Sequence, residues 1–270
     1  MKKSILLSCM IAAAFSVTAQ SIQLKKGQVI KSVASNNSDV EMMMGGSKSD
    51  VIMNSKMLVI EETSEGYVIT RSIESMKLNA DAMGQNMQFD SEKADDRKSE
   101  VGEMMSKQLN HIDTFSLDRR TGLVKSLNKN KPEIGGMAMM STGGEEEVQG
   151  AGEAFLVVPN GVKAGSTWSD SISIKGLKTV RTFKVTAVNS NTVDLETTGI
   201  VKGTTESEVQ GMTMNMNINS TARGTMKVDM KSGLVLSYNN VANVNMDMDM
   251  MGQNMQVTTK ATTSTTNSFQ

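Results

Sequence analysis

Methionine is the residue type in this chain whose spacing suggests chemistry. Met212, Met214, Met216 and Ile218 alternate with Thr213, Asn215, Asn217 and Asn219, and Met246, Met248 and Met250 alternate with Asn245, Asp247 and Asp249. Successive side chains of an extended chain point to opposite faces, so each set lies on one side of its strand. Neighbouring thioethers on one face suit a soft cation such as Cu(I). The same arrangement serves a flexible apolar core, or the pliable lining of a cavity for an apolar ligand. Packing is the first expectation, a ligand-lining role the second and metal the third, because no histidine or cysteine supports the thioethers.

The rest of the inventory is negative. The chain has one histidine, His111, and one cysteine, Cys9. A serine triad would have to pass through His111, and a Cys/His metal site is excluded. His111 precedes Ile112-Asp113-Thr114-Phe115, an ordinary strand start, and is expected to be solvated or bonded locally. No Gly-x-x-x-x-Gly-Lys loop or dinucleotide fingerprint is present. Glu145-Glu146-Glu147 lacks the alternating oxygen ligands of a calcium loop and reads as a solvated charge run. No cofactor is implied, and the expectation is a protein that is not an enzyme.

The N-terminus reads as a signal peptide over residues 1–19. Lys2 and Lys3 precede an apolar stretch from Ile5 to Val17 that is too short to span a bilayer, and Val17-Thr18-Ala19 fits a cleavage site before Gln20. Cys9 sits inside that apolar stretch, badly placed for a lipid anchor. The mature chain is then an exported protein without disulfides, resting on its own core. Without Lys2 and Lys3 its net charge is slightly negative with interspersed signs, which gives no electrostatic footprint for nucleic acid. An outer-membrane barrel is disfavoured because only 3% of residues are aromatic, too few for interfacial girdles.

The elements that must position the methionines are strands. Short alternating runs separated by Gly, Asn and Ser clusters favour antiparallel pairing. Val29 to Met44 and Val51 to Glu62 read as strands joined at Gly45-Gly46-Ser47, with Tyr67 to Met76 following. Later runs are Trp168 to Ile174, Val180 to Val188, Val193 to Lys202, Met212 to Ile218, Thr225 to Met230 and Leu234 to Val241, then a C-terminal hairpin turning at the second MGQNMQ, Met251 to Gln256. Leu117 to Leu127 (LDRRTGLVKSL) resembles Val228 to Tyr238 (VDMKSGLVLSY), and the likeness extends upstream, from Met57 to Ser91 against Phe183 to Ser220. Two homologous β units are expected. The shared Asp118 to Gly122 and Asp229 to Gly233 read as turns, with aspartate bonding the backbone and glycine at positive φ. After Asp90-Ser91, a helix over about 92–109 is expected in the first unit, capped by that pair and burying Val101, Met104, Met105 and Leu109.

The domain reading is a first β unit over 20–127, a Gly-rich linker over 128–154 and a second β unit over 155–270. The fold class is mainly β, built from two antiparallel curved-sheet units with one helix inserted in the first. Leu24-x-x-Gly27, Asp90-Ser91, the two Asp-x-x-Thr/Ser-Gly-Leu-Val turns, and Pro159 followed by Gly165-x-x-Trp168 resemble an uncharacterised secreted family common in Bacteroidota. The resemblance implies no activity, cofactor or catalytic residue. Asp170-Ser171-Ile172 is similar to the short O-glycosylation signal of such lineages. The leading functional expectation is an envelope protein that binds an apolar molecule such as a lipid through Met212, Met214, Met216, Met246, Met248 and Met250. The alternatives are a Cu(I)-binding protein and a structural or interaction module.

Overall fold

The computed structural model describes residues 20–42, 45–82, 85–109, 111–128, 153–174, 176–209, 212–250 and 253–270. The signal-peptide reading and Glu145 to Glu147 lie outside them, as does most of the linker. The described chain is mainly β, with two short helices and one open antiparallel sheet. The first strands are β1 (Val29–Met42), β2 (Gly45–Glu62), β3 (Gly66–Ala82), β4 (Gln85–Asp90), β5 (Ile112–Asp118) and β6 (Val124–Ser126). The later strands are β7 (Thr167–Ile174), β8 (Leu177–Val188), β9 (Thr192–Val209), β10 (Met212–Asp229), β11 (Val235–Met250) and β12 (Gln253–Phe269). Between β4 and β5 stand α1 (Ala94–Arg97) and α2 (Glu100–Leu109). Neither helix is long and apolar enough to cross a membrane.

The sheet runs β6-β5-β3-β2-β1-β12-β11-β10-β9-β8-β7, with β4 pairing β3 beside β5. It is a meander in space whose first and last strands meet in the middle, where β1 pairs β12 from Ile30↔Phe269 to Met42↔Val257. The expected picture of a separate sheet for each unit is therefore corrected to a single sheet. The sequence carries no signal for that seam, because pairing depends on the partner's register rather than on either strand's own pattern.

Several strands are longer than their sequence pattern suggests. Gly45, Gly46 and Ser47 belong to β2 instead of forming a turn, since Met42 pairs with Gly45 and the connection is two residues long. Met212 to Ile218 and Thr225 to Met230 merge into β10, and Leu234 to Val241 continues into the expected hairpin strand as β11. The Ser, Asn and Gly residues that read as breaks are outward polar positions or small inward positions of long strands. Both copies of MGQNMQ mark hairpin ends, where Ala82 pairs with Gln85 and Met250 with Gln253.

The single helix over about 92–109 is also corrected. It is broken at Lys98 and Ser99. Ser99 Oγ accepts from the Gly102 N–H at 3.0 Å and starts α2, while Lys93, without a side-chain cap, starts α1. Gly102 lies so close to the Asp96 carbonyl that a Cβ there would collide with backbone. Ser91 does not cap a helix; its hydroxyl is buried and accepts from the Met76 N–H at 2.9 Å, tying the chain after β4 back to β3. Met105 is buried, with Val101 and Leu109 partly so, against Met76, Leu78, Ala80 and Phe89. Met104 is 46% exposed, so the apolar stripe of α2 is narrower than its sequence suggests.

Two larger clusters form the core at the other end of the same face. One gathers Ile30, Met57, Val59, Tyr67, Ile69, Phe115 and Leu117 around Ile22 and Leu24. The other gathers Phe183, Val185, Val193, Leu195, Met226 and Val228 around Leu156 and Val158. Residues 154–158 join them, because Ala154 and Phe155 pack in the first cluster, where Phe155 bridges to Leu234, while Leu156 and Val158 pack in the second. The Tyr67 hydroxyl fastens residues 20–24 by donating to the Ile22 carbonyl at 3.1 Å and accepting from the Leu24 N–H at 3.0 Å. Burying about ten large apolar side chains in each cluster, at roughly 1.5–3 kcal/mol apiece, makes this end the main source of stability.

The two Asp-x-x-Thr/Ser-Gly turns lie at this base end. The Asp118 carboxylate accepts from the Thr121 N–H at 2.8 Å and the Thr121 hydroxyl at 2.9 Å, and Asp229 accepts from the Ser232 N–H at 2.7 Å and its hydroxyl at 2.6 Å. Gly122 and Gly233 have φ of 73° and 67°, and each N–H donates to the carbonyl of its turn's aspartate at 2.9 Å. Burial pushes the Asp118 carboxyl up, but the bonds from Thr121 and Arg120 outweigh it and hold it below the ordinary aspartate value. A second matched pair of bonds lies where strands enter the sheet: Gly27 donates across to the Val59 carbonyl and Gly165 to the Val185 carbonyl, both at 2.8 Å.

Candidate functional site

The methionine strips are brought together by register. β10 and β11 pair so that Met216 faces Met248 and Ile218 faces Met246. On the next strand Met248 faces Met255 and Met246 faces Val257. Three methionines thus stand side by side on three strands. Met214 and Met216 are buried, at 4% and 8% exposure, while Met246, Met248 and Met255 are half-buried. Met212 and Met250 are placed by register alone, opposite Val209 and Gln253 at hairpin ends. The other face of these strands is polar and exposed, where Asn215 pairs with Asp249 and Asn217 with Asp247.

β10 pairs β9 without a register shift from Met212 to Asp229, so Met214, Met216 and Ile218 share a face with Met226 and Val228 of the base core. This face has layers. Near the base are the aromatic and branched residues of the two clusters. Above them come Thr197, Gly224, Asn240, Thr263 and Asn36, one per strand from β9 to β1. A row of small residues follows, with Gly199, Ala222, Ala242 and Ala261 level with Ser38. Then come Val201, Ser220, Val244, Thr259 and Val40, and finally the methionines. The face grades from dense core to a pliable apolar rim.

Charged groups stand at both flanks. On β8, Arg181 binds Asp170 of β7 through two bonds, Nε to Oδ1 at 2.9 Å and Nη2 to Oδ2 at 2.7 Å, with its guanidinium 5.6 Å from the Phe183 ring centre. Burial pushes the nearby Tyr238 phenol well above its ordinary pKa; the Glu153 carboxylate adds to this and Arg181 opposes it. On β3, burial lowers the Arg71 pKa against the opposing field of Asp113, and its Nη2 lies 3.5 Å from the Met53 sulfur. His111 bonds locally, with Nε2 3.1 Å from the Asn128 amide and 3.2 Å from Asp113 Oδ1. Among the described residues, no group of three or more His, Cys, Asp or Glu could hold a metal ion.

The sequence reading found the two strips on β10 and β11 but missed Met255, which completes their row. Odd positions from Met255 through Val257, Thr259 and Ala261 carry that signal. It also missed the row of small residues, because each strand contributes only one. Asp118, Gly122, Asp229 and Gly233 lie at the base end and do not join the methionines.

No curated protein matches the chain. Among solved structures, the fold is similar to lipovitellin, in a structure described for its lipid–protein interactions, with a TM-score of 0.50 and 10% identity over 92% of this chain. The chain spans 26% of that protein. Pseudomonas aeruginosa OpdQ aligns with 91% of this chain and 100% of its own, at 6% identity and a TM-score of 0.28. Residues 128–235, from the end of the first half through β10, match the model of a family of unknown function, DUF6263.

Proposed function

We propose that the chain is an exported, non-enzymatic envelope protein that binds or carries an apolar molecule such as a lipid on its methionine-bearing face. The observation that carries this reading is the convergence of Met214, Met216, Met246, Met248 and Met255 on adjacent strands, beyond the two base clusters and on the same face. Methionine suits a surface that must adapt to a flexible apolar guest. Binding sites of this kind are mostly apolar with a few polar groups that orient the ligand. The lipovitellin likeness adds an analogy at the level of fold.

The same row favours a second reading, a Cu(I) site, because three thioethers stand side by side on neighbouring strands. One experiment separates the two. Protein purified gently from its envelope is extracted with organic solvent for mass spectrometry, and the emptied protein is titrated with Cu(I) under reducing conditions. An extractable apolar molecule with metal indifference is the expected result. Stoichiometric Cu(I) binding by a protein that yields no lipid would replace the first reading with the second. An empty, metal-indifferent protein would leave an interaction module. The intact mass of the same sample should begin at Gln20, and a diacylglycerol adduct on Cys9 would contradict release as a soluble protein.

A further inference from the structure

An open sheet has two ends, and in this one they are finished differently. At one end the last strands are blunted. β6 is three residues long with Lys125 exposed at its middle. β4 is packed by the helices, since Phe89 clusters with Met105 and the Asp90 N–H donates to Asp96 Oδ2 at 2.8 Å. Short strands, charges and covering elements are the means by which a sheet edge avoids recruiting another chain.

At the other end stands β7, paired only with β8 among the described residues. It runs eight residues, Thr167–Ile174, in register with β8 from end to end and without a bulge. It holds no proline or lysine. Its one charge, Asp170, is neutralised by two bonds from Arg181. None of the devices that blunt an edge is present. The Val185 N–H donates to the Ser166 carbonyl at 2.9 Å, and backbone groups alternate sides along a strand. Trp168, Asp170 and Ile172 therefore turn their backbone groups toward β8, while Thr167, Ser169, Ser171 and Ser173 turn theirs outward.

The same period sorts the side chains. Thr167, Ser169, Ser171 and Ser173 are exposed on the polar face. Trp168, Asp170 and Ile172 are half-buried on the face of the base clusters, with Trp168 stacked on Phe183 at 5.1 Å between ring centres. Such a strand is its own complement. Laid antiparallel on a copy of itself about Asp170, it sets Ser169 opposite Ser171 and Thr167 opposite Ser173 on the hydroxyl face. On the other face Trp168 stands opposite Ile172 on both sides of the axis, an aromatic against a β-branched side chain, which is a favourable cross-strand pair. The facing Asp170 carboxylates each keep their own Arg181.

We propose that β7 is a dimerisation edge, at which two copies of this chain join antiparallel through Thr167 to Ser173 and continue one sheet into the other across a two-fold axis at Asp170. The pairing is independent of what the methionine rim holds. A contact of this kind uses the same strand on both copies, so it closes as a dimer and does not propagate into a filament.

The test is sedimentation of the mature protein over a wide range of concentration, with the emission of Trp168, the single tryptophan of the chain, read in parallel. Ser171→Pro removes an outward N–H at an edge, where proline is tolerated. The double change Ser169→Lys with Ser171→Lys sets like charges opposite each other and serves if the proline variant folds poorly. The expected result is a dimer whose dissociation on dilution shifts the Trp168 emission to the red. Either variant should weaken association roughly tenfold or more, with melting unchanged at concentrations where wild type is itself monomeric. A wild-type monomer at every concentration would overturn the proposal, the edge then belonging to another segment of the chain or to a different partner. A dimer that both folded variants leave intact, with Trp168 emission constant through its dissociation, would place the interface elsewhere and overturn it too.

Discussion

The base and the rim of one sheet face follow the same alternation and reach different ends. At the base, Phe115, Phe183, Leu195 and Val228 are at most 1% exposed, and residues 20–24 and 154–158 lie against them. At the rim, Met246 and Met248 remain half-buried on strands of the same sheet. Branched and aromatic side chains have few rotamers and lock a unique packing, whereas methionine adapts. A period-two pattern therefore specifies a face without specifying whether that face is a core or a binding surface; side-chain type and what lies over it decide.

Truncation should expose the difference most strongly. Phe115→Ala and Phe183→Ala should each cost about 3–5 kcal/mol in denaturant unfolding. Met248→Ala at the rim should cost about 1 kcal/mol or less, because a half-buried side chain loses only part of its burial on truncation. Equal losses at the two ends would erase the distinction.

The next largest effects concern the twin turns. Their sequences predict equal glycine requirements, but their surroundings differ. A Cβ at Gly233 would lie 2.7 Å from Ile22 Cγ1 and 3.1 Å from the Leu156 carbonyl, whereas at Gly122 the nearest atom is Val157 Cγ2 at 3.5 Å. Gly122→Ala should cost about 1–2 kcal/mol for its left-handed backbone, and Gly233→Ala a further 1–3 kcal/mol for overpacking. Thermal melts of the two variants side by side check the order, and a costlier Gly122 would show that the base closure around Ile22 is misassigned.

The smallest effect is a pH dependence. Because the folded Asp118 carboxyl sits below its unfolded value near 3.9, its contribution is complete above about pH 4 and is lost as pH falls through the folded value. Asp118→Asn should therefore be less stable than wild type at neutral pH and converge with it in acid. A stability difference that is constant from pH 7 to pH 2 would mean that the carboxylate's charge contributes nothing.

The class of the fold and the sidedness of the methionines were legible because both rest on local alternation. Strand lengths were less so: Ser220 to Gly224 reads as a break, yet Ser220, Ala222 and Gly224 are small inward positions in the middle of β10. The split into α1 and α2 follows from Ser99, which caps α2, and from Gly102, whose missing Cβ lets it lie against the Asp96 carbonyl six residues back; both are local and were not separated from the helical spacing of the apolar residues. The seam of β1 with β12, and the rows of methionine and small residues that cross strands, exist only once register is set. Each strand supplies one member of a row, so no window of sequence contains it.

If the rim is a binding surface, as proposed, rather than a second core, Met248→Gln separates the two most directly. Fluorescent fatty-acid binding and thermal unfolding are measured on the same emptied preparation. Binding should fall at least several-fold while the melting temperature stays close to that of wild type, since a half-buried amide keeps access to water. Unchanged binding together with a loss of several kcal/mol of stability, as for a polar group buried without a partner, would contradict it.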